Sequence, residues 1–186
     1  ILRDAGKLGA EEKSRYASII HTEAIRLTRL LDDLPDLSVL ENGQVSLHIA
    51  EAPLGDLLDR AITTTTAGSA SDLVVDVKTT HGDVILRTDL DRLVQVFINL
   101  ISNAQKYCVA DPPQLTVRPR LTNADLFIEF ADNGAGISPR ERDVIFEKFS
   151  RSTTAQGEGA GLGLAICREV MRRLGGNIKL LQGRDG

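Results

Sequence analysis

The chain has 186 residues, 42% of them hydrophobic, with 26 acidic against 22 basic side chains and a formal net charge of −4. That length suits one domain able to bury its own core, and an acidic balance with no basic stripe excludes a nucleic-acid surface. No apolar run approaches the roughly 20 residues of a membrane helix, and the N-terminus lacks a signal-peptide pattern.

Taken in chain order, residues 11–41 carry one long amphipathic pattern, with Tyr16, Ile20, Leu27, Leu31, Leu34 and Leu37 along a seam. Such a seam needs a partner helix to cover it. Pro35 should kink or weaken this helix, because it lacks an N–H and clashes one turn back, and Asn42-Gly43 stops it. Residues 1–43 therefore read as a helical stem and 44–186 as a globular domain.

In the globular part Val45 to Ala50 alternates like a strand, and Pro53 to Thr63 reads as a helix with proline in its first turn. Leu73 to Val77 and Val84 to Arg87 read as short strands, with Asp89 starting the next helix. Leu115 to Arg120 and Leu126 to Phe130 suggest an antiparallel hairpin whose first strand is marked as an edge by Pro119. Leu162 to Leu174 reads as a helix ended by Gly175-Gly176, followed by a strand at Ile178 to Leu181. The pattern is α+β: a two-layer sandwich with a mixed, mainly antiparallel sheet covered by helices on one face. Cys108 and Cys167 are far apart, without CxxC spacing, and read as reduced, packed residues of a cytosolic protein.

The helix over QVFINLISNAQKY carries the chemistry. Leu93, Phe97, Leu100, Ile101 and Ala104 recur at helical spacing, leaving Gln95, Asn99, Asn103 and Lys106 on another stripe. Amide oxygens can ligate hard Mg²⁺, and an ammonium can meet phosphate. After the Leu126 strand comes Asp132-Asn133-Gly134-Ala135-Gly136-Ile137. Asp132 could accept from an exocyclic amine, and the glycines would let backbone approach a ring. Gly157-Glu158-Gly159-Ala160-Gly161-Leu162-Gly163 then opens a helix, where free N–H groups and the dipole suit phosphate. Singly, each feature reads equally well as a solvated face, a tight turn or a flexible loop; the order of the three makes that improbable. No G-x-x-x-x-G-K-[ST] occurs, the glycine run is not G-x-G-x-x-G, and a protein-kinase catalytic loop is absent.

These segments resemble the ATP-binding domain of two-component sensor histidine kinases, within the wider group of gyrase, mismatch-repair and chaperone ATPases with the Bergerat fold. QVFINLISNAQKY is similar to the family's asparagine box, DNGAGI to its first glycine box, IFEKF to its phenylalanine box and GEGAGLGLAI to its last glycine box. RLTRLLDDLPDLSVLENG resembles the end of the second dimerisation helix. The resemblance implies ATP and Mg²⁺ as cofactors, with Asn103 as metal ligand, Asn99 supporting metal or phosphate, and Lys106 on phosphate. Tyr107 would lie against adenine and Asp132 would read its amino group. Gly134, Gly136, Ile137, Phe149, Gly159, Gly161, Leu162 and Gly163 would complete the pocket and its lid, with Ser150 to Gln156 a mobile part of that lid.

Hydrolytic members of the wider group carry a glutamate at the position of Asn99. An amide cannot take up a proton at neutral pH, so the site suits transfer to a nucleophile better than hydrolysis. In the resembled kinases that nucleophile is a histidine followed by an acid and, later, a proline on the first dimerisation helix. His21, in the context HTEAIR, lacks both neighbours, while His48 and His81 read as strand and turn residues. The acceptor is expected upstream of Ile1. The resemblance further implies a homodimer through a four-helix bundle, a response-regulator receiver domain as partner, and no nucleic acid. It implies a cytoplasmic location, with any membrane attachment residing outside this sequence. A nucleotide-binding pseudokinase or an anti-sigma-type serine kinase are the alternatives. Two departures stand out: Ala135 replaces a frequent proline, and the sequence stops before the family's usual last strand.

Overall fold

The computed structural model describes residues 9, 16, 46–67, 71–78, 81–123, 125–150 and 161–181. The stem at 1–43, including Pro35 and His21, lies outside these residues, apart from Gly9 and a helical Tyr16. So does most of the lid, Gly159 with it.

The elements follow as β1 (Ile49–Pro53), α1 (Leu54–Thr66), β2 (Val74–Val77), β3 (Ile85–Asp89), α2 (Leu90–Tyr107), β4 (Gln114–Leu121), β5 (Leu126–Asp132), α3 (Pro139–Arg142) and α4 (Gly163–Arg173). This is the expected α+β architecture, with the sheet in two pieces. β1 pairs antiparallel with β3, and the second piece has the order β2-β4-β5. There β2 runs parallel to β4, and β4 antiparallel to β5.

Several local expectations need correction. Pro53 is the N-cap of α1, not a first-turn residue, and α1 continues to Thr66. The first strand starts at Ile49, four residues later than the alternation suggests, and runs to Pro53. Pro119 does not mark an edge strand, because β4 is central. Its pairing with β2 ends at Val117, so the missing N–H of Pro119 falls just beyond that ladder, and the residue is buried. Ile178 to Leu181 forms no strand: these residues have no ladder partner among the described residues, and Ile178 packs into a core instead. The short α3 was not foreseen, although Ser138 and Glu141 form a capping box around Pro139, a reliable helix-start signal.

Two apolar clusters hold the layers. The larger joins Leu54, Leu57, Leu58 and Ala61 of α1 to Leu93, Val94, Phe97, Ile101 and Ala104 of α2, over Leu115 and Val117 of β4. Phe97 and Phe130 meet there with ring centroids 5.5 Å apart. The smaller cluster joins Val96 of α2 to Leu162, Ile166, Cys167 and Val170 at α4. Cys167 is fully buried, and that burial pushes its thiol from 9.0 up to about 12, against a smaller opposing hydrogen bond from Asn99.

Asp89 is the buried charged residue of the described core, 5% exposed. Its Oδ1 accepts from the Arg92 N–H at 3.1 Å, capping α2, and its Oδ2 accepts from the His48 N–H at 3.0 Å. One carboxylate thus starts the long helix and fixes where the chain comes into β1. Asp89→Ala should cost about 2 kcal/mol of unfolding free energy, since both a cap and a buried acceptor are lost; a urea titration reads this. At pH 8 a small thiol reagent should label Cys108 in the native protein and reach Cys167 only on unfolding; rapid labelling of both would contradict the packing. Because the folded thiol keeps its proton up to about 12 while the unfolded one ionises near 9.0, Cys167 should subtract stability as pH rises from 9 towards 12.

Candidate nucleotide-binding site

α2 meets three environments at once. One face enters the large cluster, Val96 and Leu100 face α4, and the remaining stripe carries Gln95, Asn99 and Asn103, all half-buried, then Lys106, exposed at the last turn. Asn99 is fixed by α4. Its Cγ and Oδ1 lie 3.9 Å from where a Cβ on Gly163 would sit, while the Cys167 thiol one turn further along α4 donates to Val96 O at 3.9 Å. The asparagine therefore abuts the opening turn of α4. That turn has no side-chain cap, and its first N–H groups have no partner within the helix, which leaves donors and the positive end of the dipole for an anion.

The first glycine box closes against the other end of α2. Asp132, exposed at the end of β5, accepts from the Gly134 N–H at 2.9 Å. A Cβ on Gly134 would sit 2.8 Å from that carboxylate oxygen and 3.3 Å from the Cys108 Cα, so a larger residue would have to push the Asp132 carboxylate aside and crowd the C-cap of α2. Asn133 makes the join. Its Oδ1 accepts from the Gln114 N–H at 2.8 Å and from the Cys108 thiol at 3.1 Å, and its Nδ2 donates to Pro112 O at 3.0 Å. Lys106 and Tyr107, the latter 45% exposed, are thereby held next to the Asp132 turn.

The lid's described ends also meet. A Cβ on Gly161 would come within 2.5 Å of Ser150 O, and Gly161 has φ +73°, a combination that excludes larger residues. Phe149 is exposed and takes φ +63°, rare for an aromatic residue.

The predicted residues thus fall into two groups. Asn99 lies with Gly163 at the α4 start, and Tyr107 and Lys106 lie beside Asp132 and Gly134. Gly136 and Ile137 follow directly in the same loop, and Asn103 lies on α2 between the two ends. Leu162 departs from expectation: its side chain is fully buried in the smaller cluster, so it offers a ligand only backbone. Sequence reasoning missed Asn133 and Cys167 as positioning residues. The signal for Cys167 was its spacing, one helical turn after Gly163; Asn133 sat unnoticed between two residues with more obvious roles.

Residues 88–186 match the family described as "Histidine kinase-, DNA gyrase B-, and HSP90-like ATPase". The circadian input-output histidine kinase CikA of Synechococcus elongatus is 30% identical over 178 residues, covering 91% of this chain and 23% of that protein. The sensor protein ChvG of Agrobacterium fabrum is 32% identical over 183 residues, covering 91% of this chain and 30% of that protein. The chain therefore spans less than a third of either relative. Full-length ShkA, crystallised with AMPPNP, shares the fold with a TM-score of 0.67 at 24% identity, over 90% of this chain and 35% of that one. By its matched boxes and its relatives, the chain belongs to the histidine kinase-, gyrase B- and HSP90-like ATPase family, on the sensor-histidine-kinase side of it.

Proposed function

We propose that this chain is the ATP-dependent core of a protein-histidine kinase, which passes the γ-phosphoryl group of ATP to a histidine and then to a response-regulator aspartate. The observation that carries this reading is the seating of Asn99 against the uncapped start of α4, while the Asp132 turn closes on Lys106 and Tyr107 at the other end of the same helix. An adenine at Asp132 and phosphates at the α4 start would then lie along the polar stripe of α2. The AMPPNP held by ShkA supports a nucleotide as ligand.

In this reading Asp132 accepts from the adenine amino group, Tyr107 covers the ring, and Gly134, Gly136 and Ile137 line it with backbone and small side chains. Lys106 meets phosphate as a point charge. Phe149, Gly159, Gly161, Gly163 and the backbone of Leu162 close over the phosphates. Asn103 and Asn99 offer neutral amide oxygens, the hard donors Mg²⁺ takes alongside substrate phosphates, and the absence of a Cβ at Gly163 leaves room beside Asn99. Bound Mg²⁺ would supply charge neutralisation on the phosphates. No side chain on the α2 stripe can activate water, so the residues bind and orient, and the nucleophile is a neutral imidazole that needs no strong base.

The acceptor is a histidine of a dimerisation helix outside this sequence, because His21 lacks the acid and proline neighbours. The stem seam pairs two copies into a four-helix bundle. The protein acts in the cytoplasm, whatever membrane segments its full-length form carries.

Asp132→Ala should abolish ATP binding, by at least about a hundredfold in Kd, with an unchanged circular dichroism melt. Normal binding would remove the adenine assignment. Incubated with γ-labelled Mg-ATP, a form extended upstream by the preceding helix should acquire acid-labile, alkali-stable label, and should still do so as His21→Gln. Binding without any label would favour a nucleotide-binding module over a kinase.

A further inference from the structure

On the side of α4 turned away from α2 lies an open groove of ≈ 510 Å³ lined by Arg142, Phe146, Arg168, Ile178, Lys179 and Leu180. At 100° per residue Arg168 points away from the buried row Ile166, Cys167 and Val170, so the groove is separate from the nucleotide site. Its lining combines three cations with three apolar side chains and no carboxylate. Arg168 lies over the Phe146 ring, its guanidinium carbon 6.0 Å from the centroid. Arg142 donates from Nε to Ile137 O at 3.1 Å, which leaves its terminal N–H groups for a ligand. Ile178 also packs on the smaller apolar cluster, so core backs the groove. Among the described residues none of the three cations is paired with a carboxylate. Glu169, the acid next to Arg168, is taken by Arg172 and Arg173 at 2.7 and 3.0 Å.

We infer that this groove docks an acidic peptide segment of a partner protein, one with carboxylates on either side of an apolar residue. Charge complementarity selects that occupant. The chain as a whole is acidic, at −4, so an acidic partner meets net repulsion from it and is steered to the local cluster of three cations. The guanidinium forks of Arg142 and Arg168 match carboxylates with paired N–H···O bonds, and Lys179 adds a point charge. Phe146 and the exposed Leu180 take the apolar residue, which a bare anion would leave unmet. Arginine beside an aromatic ring is also the composition that dominates protein-binding centres. The groove's open shape favours a peptide over a small molecule. Small-molecule sites enclose about 70–90% of their ligand's surface, whereas a docked peptide keeps its outer side in water. The site does not depend on what the nucleotide site binds.

Fluorescence anisotropy on the full chain tests it, with the labelled peptide EELEFEE as probe. Binding in dilute buffer should weaken about tenfold in about 0.5 M salt, which screens exposed pairs. The same peptide with serine in place of its Leu and Phe should bind about tenfold more weakly, because the apolar contacts are lost. The double variant Arg142→Glu, Arg168→Glu should lose the acidic peptide. It should also bind KKLKFKK more tightly than the native chain does, which separates reversed docking from a misfolded groove. Amide NMR shifts on binding should centre on Phe146, Arg168 and Leu180. Unchanged affinity in the double variant, or shifts centred elsewhere, would overturn the inference. Equal binding of the serine peptide would overturn it by reducing the groove to unselective charge attraction. Inorganic tripolyphosphate that binds the groove as tightly as the probe would overturn it in favour of a small-anion site.

Discussion

The structure depends on one helix meeting three different demands. α2 has to cover the sheet, receive α4 and keep a polar stripe available. Eighteen residues supply five turns, and each demand takes its own third of the circumference. The apolar rows carry the stability: burial of Phe97 and Ile101 on one side and Val96 on the other fixes the helix's rotation. Once rotation is fixed, Asn99 and Asn103 are carried on the stripe that faces neither apolar cluster. The site is accurate because the core beneath it is close-packed.

The two ends of α2 are then tied by polar groups. Asp89 satisfies one orphan N–H of the first turn, that of Arg92, and holds the incoming chain through the His48 N–H. At the other end, Asn133 ties the Cys108 and 112–114 segments with one amide, and Gly134 packs so near the backbone of Cys108 that an added Cβ would be crowded at 3.3 Å. The Asp132 turn is therefore positioned by Asn133 and by a missing Cβ, leaving the Asp132 carboxylate at the surface. Cys167 plays the corresponding part at α4. A buried thiol held neutral is a small, soft neighbour that packs against Val96 and donates to its carbonyl.

The outer surface of α4 is chemically unlike its inner one. Apolar residues seat it on α2, while Arg168 joins Arg142 and Lys179 around Phe146. A helix in this position couples two surfaces through one rigid body. Its N-terminal turn borders the polar stripe and its outer face borders the basic groove, so a shift of α4 would be felt at both.

Hydrophobic periodicity, glycine spacing and the Asp89 start signal were local information. They were enough to name α2, α4, the two glycine boxes and the α+β class, because each reports a physical requirement met within a few residues. The ordered boxes identified the family for the same reason: close backbone approach demands glycine wherever it occurs. What the sequence could not decide was pairing. Pro119 reads as an edge residue until β2 is seen to stop at Val117, and Ile178 to Leu181 reads as a strand until no neighbour is found for it. Leu162 reads as part of a ligand loop until the cluster with Val96 claims its side chain, and Cys167 and Asn133 gain their roles only from residues far away in the chain. Side-chain type and spacing determine local geometry, whereas ladder partners, burial and cross-chain hydrogen bonds depend on long-range contacts that only the folded chain makes.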